Sequence, residues 1–463
     1  MLYKSTRGMK DLLNFKEVTL KGLAEDGGLY IPNEWNKTKL VINEESLEFK
    51  KVAKAVVENF TGDLISKRKL NSIIDASYKN FPSREIVPLK KITNNLWMLE
   101  LFHGPTLAFK DIALQFLGNL FDHFLSTNKT RLTIIGATSG DTGSAAIEAI
   151  KNQKNSNIFI LHPYNRVSEF QRRQMTTVNT KNVFNIAVRG TFDDCQALVK
   201  KLFNDKDTNS QVNLGSINSI NWTRIMAQIS YYIFAYHKMR KKTDKDIVFS
   251  VPTGNFGDAY AGYIAKEKFN IPFKKILVAT NKNDILDKFF KTGIYKKTRV
   301  SRTLSPSMDI QIASNFERFL YDLYDGKSHI IRNFMKKFNE NDIIKVDSKS
   351  LDKTKSIFNS SRVTEKETID TIKKIYNLKN IIIDPHTAVG LRTGLNYLKQ
   401  DNNCIVITLA TAHPIKFSKA VNKALGLEPQ LPKRYKKIYS LKEKYKVLDN
   451  NFKKIKDYII SNS

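Results

Sequence analysis

An α/β fold is what the 463-residue sequence predicts: wound, mostly parallel sheets in a large and a small domain, behind an N-terminal, mainly helical region. Three observations predict it. From about residue 95, short apolar runs rich in β-branched residues alternate with helix-length amphipathic segments. Each run is bounded by Gly, Pro, Asn or Asp, as buried parallel strands are, and strand–helix alternation winds a parallel sheet. Three of the runs also end in polar, glycine- or histidine-bearing motifs.

Taken in order, the first 95 residues read as mixed, mainly helical segments, with turn signals at Asp26-Gly27-Gly28, Pro82 and Pro88. The strand runs are Leu132–Ile135, Ile158–Leu161, Val183–Val188, Ile247–Val251, Ile276–Ala279, Ile381–Ile383 and Ile405–Leu409. Between them, Trp222, Ile225, Met226, Ile229, Ile233 and Tyr236 mark one buried helix. Residues 325–380 read as helical and lysine-rich. At the C-terminus, Leu441, Tyr445, Leu448, Phe452, Ile455 and Ile459 recur at spacings of four and three, which predicts one amphipathic helix within 431–463. The expected division is 1–95 as the N-terminal region, 96–130 with 210–430 as the large domain, 131–209 as a smaller inserted α/β domain, and 431–463 as that helix.

The charge is the obvious lure. Lys+Arg number 76 against 45 Asp+Glu, a net +31, which suits nucleic acid or an anionic membrane. Yet lysine is spread along the whole chain, and no zinc-finger, RRM or basic-zipper pattern concentrates it. Residues 431–463 carry ten Lys/Arg and three Asp/Glu, which the amphipathic pattern assigns to a solvated face. A hydrophobic fraction of 41% supports a large core and excludes global disorder. Cys195 and Cys404 are too few for a disulfide scaffold and fit a reducing compartment. No secretory h-region or membrane-length apolar run is present, so a cytoplasmic protein is expected.

The polar motifs define one composite site. Thr138-Ser139-Gly140-Asp141-Thr142-Gly143, Thr253-Gly254-Asn255-Phe256-Gly257-Asp258 and Thr411-Ala412-His413-Pro414 each follow a strand, and ligands in open α/β sheets sit beyond strand carboxyl ends. Gly254 and Gly257 allow a tight turn whose amides face an anion at a helix N-terminus. The turn is neither a Walker loop nor GxGxxG. The Ser139–Gly143 stretch offers hydroxyls and amides to a carboxylate, or a plain helix cap. Lys110 is the most informative residue, because Leu107, Leu114, Leu117 and Phe121 place it on an apolar helical stripe. A buried lysine must pair or lose its proton, and a neutral amine is what Schiff-base chemistry needs. His103, His386 and His413 lack metal-ligand spacing, so no metal is expected. Lysine, phosphate nest and carboxylate pocket together suit pyridoxal 5'-phosphate.

At this point the residues resemble a known family. Leu101-Phe102-His103-Gly104-Pro105-Thr106 running into Ala108-Phe109-Lys110-Asp111 is similar to the cofactor-lysine motif of threonine synthases. So are Ser5-Thr6-Arg7-Gly8, the Gly22–Pro32 run, Ser139–Gly143, Asn218-Ser219-Ile220-Asn221 with Arg224 and Gln228, Pro252–Asp258, Ser307-Met308-Asp309 with Ser314-Asn315, and Thr411–Pro414. The resemblance implies a fold-type II pyridoxal-phosphate enzyme, a lyase of threonine biosynthesis. It implies conversion of O-phospho-L-homoserine and water to L-threonine and phosphate through a Schiff base on Lys110. The alternatives are a threonine-synthase-like phospho-lyase or dehydratase releasing a 2-oxo acid and, remotely, a basic nucleic-acid binder. Carried over, Gly254, Asn255, Phe256 and Asp258 would hold the cofactor phosphate, and Thr411 would face the pyridine nitrogen. Thr138, Ser139, Gly140, Asp141 and Thr142 would frame the substrate carboxylate. Arg166, Arg172, Asn221 and Arg224 are candidates for the substrate phosphate. A monomer or homodimer without nucleic-acid or membrane partners is expected.

Overall fold

The computed structural model describes residues 1–35, 40, 42, 44–83 and 85–463. A six-stranded sheet forms its centre, in the order Phe358–Arg362, Lys275–Thr280, Asp246–Pro252, Cys404–Ala410, Leu96–Glu100, Leu89–Lys91. All neighbours run parallel except the last pair. Seven consecutive residues of Cys404–Ala410 are buried, which explains why its sequence is a continuous apolar run without alternation. A second sheet, parallel throughout, has the order Lys446–Asp449, Val183–Arg189, Ser156–Pro163, Leu132–Ala137, Leu214–Gly215. The helix Trp222–Arg240 is buried nearly all round and packs in the main core.

Four departures from the sequence expectations have physical reasons. The N-terminal region contains a small antiparallel sheet, Leu13–Asn14, Leu2–Ser5 and Tyr30–Pro32, besides its helices; strands of two to four residues are too short to show a period. Ile381–Ile383 is not a strand. Phe358–Arg362 takes the position beside Lys275–Thr280, and the isoleucines form an apolar connector between the helices Glu365–Lys379 and Pro385–Leu398. Two further strands escape the sequence reading: Phe358–Arg362 is polar after its first residue, and Leu96–Glu100 is a brief apolar run of only five residues.

The fourth departure is the C-terminus, which is not one helix. Residues 431–445 cross the surface irregularly, Lys446–Asp449 adds a parallel strand along Ile186–Arg189, and only Phe452–Ser461 is helical. Ile455 and Ile459 dock against Cys195, Leu198 and Leu202, as the periodic reading requires, while Leu441 and Tyr445 remain exposed. An open sheet edge supplies hydrogen bonds that a helix would forgo, so tertiary pairing overrides the local period here.

Candidate active site

Four strand ends converge on one cleft. Leu96–Glu100 leads into the loop before Lys110, Leu132–Ala137 into Thr138–Gly143, Asp246–Pro252 into Thr253–Asp258, and Cys404–Ala410 into Thr411–Pro414. The lysine loop is stitched to the last of these by Leu101 N–H to Ala410 O (2.9 Å), Phe109 N–H to Thr411 O (2.8 Å) and His413 N–H to Leu107 O (3.0 Å). Leu107 adopts a left-handed φ of 65°, so it is outside the helix and not part of the expected stripe. Lys110 is instead the first residue of the helix Lys110–Asn128, with Leu114, Leu117 and Phe121 packed in the core against Ile134, Ile158 and Ile160 of the second sheet. Behind the loop, buried Asp111 accepts from Thr106 N–H (2.8 Å) and Thr106 Oγ1 (2.7 Å), and burial pushes its carboxyl up to about 6.

Lys110 and Asp141 meet, Nζ to Oδ2 at 3.6 Å. Asp141 also takes the Lys416 ammonium on Oδ1 at 3.0 Å and the Gln171 amide at 2.7 Å. Burial alone would raise the Asp141 carboxyl, but Lys416, then Lys110, Gln171 and His386 outweigh it and hold it well below the usual carboxylate range. For the Lys110 amine the balance is reversed: burial lowers it, Arg224 and Lys416 lower it further, and Asp141 and Asp258 oppose them. The two effects leave a charged acid beside an amine that sheds its proton readily.

The turn Thr253–Asp258 has a different construction. Phe256 sits at a left-handed φ of 62° at the N-cap position of the helix Gly257–Glu267, where it offers no side-chain hydrogen bond. That conformation is costly for a bulky residue. It is held by burial of the ring among Phe290, Phe316, Phe319 and Phe358, with centroids 5.5–5.9 Å away. Asp258 turns inward, accepting from Thr253 Oγ1 and from Ala259 N–H (2.9 Å), and burial raises its carboxyl. A Cβ on Gly254 would stand 3.0 Å from Ser307 O, so only glycine lets the backbone pass this closely. Asn315 ties the turn down by donating N–H (3.0 Å) and Nδ2 (3.2 Å) to Asn255 O.

The other expected site residues separate cleanly. Thr138 Oγ1 accepts from Gly140 N–H (3.0 Å) and Gly143 N–H (2.8 Å), which makes Thr138 the cap of the Asp141–Ile150 helix. Gly140, at φ +143°, lies against the Gln171 side chain, where a Cβ would collide. Ser139 is exposed, and Thr142 is half-buried. The Asp141 carboxylate repels rather than receives a substrate carboxylate, so only the amides and hydroxyls of this turn suit that task. Thr411 is buried, with its N–H on Thr387 Oγ1 at 3.3 Å. Arg224 is buried beside Lys110; one nitrogen reaches Ile217 O (3.1 Å), its Nε has no protein partner, and burial pushes it down to about 10.

Two of the candidate phosphate ligands are bonded elsewhere, and a third lies on the surface. Arg166 is exposed and faces Asp194. Arg172 is bound in two bonds by Glu443 at 2.8 and 2.9 Å. Asn221 caps the Trp222–Arg240 helix through Thr223 N–H (3.0 Å) and donates to Thr19 O (2.9 Å). These residues lie near the right motifs in sequence, but proximity in the chain says nothing of side-chain direction.

Sequence reasoning missed Lys416, Gln171 and Asp384. Lys416 follows the Thr411–Pro414 motif between Ile415 and Phe417, an apolar setting that could have marked it as Lys110 was marked. Asp384 is fully buried, accepts from His386 N–H (2.9 Å) and pairs with His386 Nδ1 (2.8 Å), while His386 Nε2 receives Ser307 N–H (3.1 Å). His386 thus braces the Ser307 loop against the Thr253 turn. The N-terminal motif has a similar purpose: Thr6 Oγ1 (2.6 Å) and Arg7 (2.8 and 3.0 Å) bind Glu317, next to Arg318, whose guanidinium joins Tyr30 O (3.0 Å), Ile220 O (2.7 Å) and Asn315 Oδ1 (2.5 Å). Among the described residues, no group of three His, Cys, Asp or Glu is placed to hold a metal ion.

Comparison with known proteins decides the family. Residues 78–408 match the model described as pyridoxal-phosphate dependent enzyme, 2–78 the threonine synthase N terminus, and 387–459 the threonine synthase C-terminal model. The chain belongs to the threonine synthase family. Threonine synthase of Pseudomonas aeruginosa is 42% identical over 99% of the chain and 98% of its own length. That of Schizosaccharomyces pombe is 46% identical over 92% of the chain and 89% of its own length. The crystal structure of pyridoxal-phosphate-bound threonine synthase from Brucella melitensis superposes with a TM-score of 0.95, at 41% identity, covering 100% of this chain and 99% of that one. The fold is therefore fold-type II, the cofactor is pyridoxal phosphate, and the enzyme class is that of the threonine synthases, pyridoxal-phosphate-dependent lyases. The residues present fit the group: a buried amine in the cleft, the turn amides of Gly254–Phe256 ahead of a helix whose N-cap position makes no side-chain bond, and a buried guanidinium with an unpartnered nitrogen. Among the described residues, no helix is long and apolar enough to cross a membrane.

Proposed function

We propose that the protein converts O-phospho-L-homoserine and water to L-threonine and phosphate in the cytoplasm. The observation that carries the reading is Lys110: an amine buried where four strand ends meet, facing Asp141, with an anion cradle at Gly254–Phe256 and a buried arginine, Arg224, beside it.

Lys110 would hold the cofactor aldehyde, and the amides of Gly254, Asn255 and Phe256 would receive its phosphate. Thr411 would face the pyridine nitrogen with a hydroxyl, leaving that nitrogen uncharged. The bound cofactor supplies an electron sink for the charge that develops next to the substrate Cα. Lys110, released when the substrate amine takes its place, moves protons at Cα and Cβ; its lowered proton affinity suits a base at neutral pH. The hydroxyls of Ser139 and Thr142, with the turn amides not taken by Thr138, would orient the substrate carboxylate. Arg224 is the cation best placed for the substrate phosphate, because its Nε is buried without a partner. A proton leaves Cβ as phosphate leaves Cγ; Cγ then gains a proton, the hydroxyl of water ends on Cβ, and Cα is reprotonated.

The test is direct. Purified protein with phosphohomoserine should release threonine and phosphate in equal amounts, and Lys110→Ala should lose both the Schiff-base absorbance and at least about a thousandfold of the rate. Release of 2-oxobutyrate in place of threonine would assign a lyase of the same site. Absence of the absorbance and of both products would remove the reading.

A further inference from the structure

Lys416 is a second lysine inside the site, and its surroundings assign it a different task from that of Lys110. Its side chain is fully buried in the short turn Pro414–Phe417, directly after the Thr411 motif. An ammonium has three N–H donors. Two donate to Thr106 O at 2.7 Å and Gln174 Oε1 at 2.9 Å, and the charge is ion-paired with Asp141 Oδ1 at 3.0 Å. These contacts engage the ammonium within the fold, so Lys416 is not a ligand for a substrate phosphate or carboxylate. Its partners are telling. Thr106 belongs to the loop that carries Lys110, Gln174 lies on the small-domain helix Glu169–Thr176, and Asp141 is the acid that faces Lys110.

We propose that Lys416 is a positioning residue that neutralises Asp141, so that this acid orients Lys110 without trapping a proton on it. The reasoning is electrostatic. A lone buried carboxylate 3.6 Å from the Lys110 nitrogen would bind the ammonium form as a tight pair and hold the amine out of use. A carboxylate already paired with a fixed cation retains its hydrogen-bonding geometry but exerts little net field. The groups that face Lys110 are Asp141 and Asp258 on the negative side and Arg224 and Lys416 on the positive, with His386 also near Asp141. Of the cations, Lys416 alone touches Asp141 in a fixed bond independent of Lys110. The proposal rests on the reading of Lys110 as the cofactor lysine.

Its test is a cycle of variants read by the pH dependence of cofactor capture. Full-length protein freed of cofactor is mixed with pyridoxal 5'-phosphate, and the visible Schiff-base absorbance is followed across pH; the rate rises as Lys110 loses its proton. Lys416→Met should raise the pH of half-maximal rate by about one unit or more, because Asp141 then acts on Lys110 unopposed. Asp141→Asn should lower it. The double variant Lys416→Met/Asp141→Asn buries no unpaired charge and should return close to the native midpoint, while Lys416→Arg should not move it. The acid limb of kcat should shift in the same directions. If Lys416→Met does not fold, the comparison of Asp141→Asn with the double variant carries the same information. Capture that persists in Lys416→Met with an unmoved or lowered midpoint, or a double variant that stays at the Asp141→Asn midpoint, would overturn the proposal. Capture that survives in Lys110→Ala would overturn the underlying reading instead.

Discussion

Two strand-to-helix turns, Thr138–Gly143 and Thr253–Asp258, look alike in sequence and are opposites in structure. Each has a threonine at the strand end, glycines in the turn and an aspartate at the start of the helix. In the first, Thr138 accepts from the glycine amides and Asp141 faces outward to two lysines. In the second, Thr253 donates to Asp258, which faces inward, and the amides around Phe256 carry no side-chain cap. The first is a knot of opposite charges; the second presents backbone amides, with Asp258 held behind them by Thr253 and by Ala259 N–H. A helix start whose N-cap position makes no side-chain hydrogen bond keeps its leading turn amides open to an anion, whereas an aspartate paired with two lysines fixes a charge there.

Three experiments would break or sharpen that contrast. The largest effect is expected in the knot. Asp141→Asn leaves two buried ammonium groups without their acid and should cost about 3–5 kcal/mol at pH 7, measured by chemical denaturation. Because the folded carboxyl is held below its unfolded value, Asp141 stabilises above the ordinary carboxylate range and loses that contribution as pH falls. The gap between native protein and variant should therefore narrow on acidification below about pH 4. The cradle should behave differently. Gly254→Val forces a side chain against Ser307 O and should weaken binding of inorganic phosphate by about a hundredfold, near 2.7 kcal/mol, whatever the charge state of the knot. The smallest effect belongs to Arg166→Ala, which removes an exposed charge that faces Asp194; stability should change by under about 0.5 kcal/mol and kcat/KM by under about twofold. An order-of-magnitude loss there would bring Arg166 back to the substrate.

How far each residue was legible depended on what its signal required. The buried strands announced themselves, because seven buried positions in Cys404–Ala410 demand seven apolar or small residues. The same rule misread Ile381–Ile383, since a buried connector and a buried strand need identical side chains. The C-terminal period correctly marked Ile455 and Ile459 and wrongly extended the helix over Lys446–Asp449, where an open sheet edge decided the backbone. Lys110 stood out because an apolar stripe makes a lysine anomalous, although Leu107 proved to lie outside the helix. For Asn221 and Arg172 the sequence shows the residue type but not that a helix cap and an ion pair with Glu443 use the atoms a ligand would need.

The α/β class, the polar motifs at the strand ends and the anomalous Lys110 are legible in the residues alone, because burial and tight turns restrict residue type locally. Tertiary structure alone decided which charges meet there. Thr106, Asp141, Gln174 and Lys416 come from four separate stretches of chain, and their contact is a product of folding that no spacing encodes. The net charge of +31 marks the limit of composition in the same way: of all those lysines, two share one buried carboxylate, and only their placement distinguishes them from the rest.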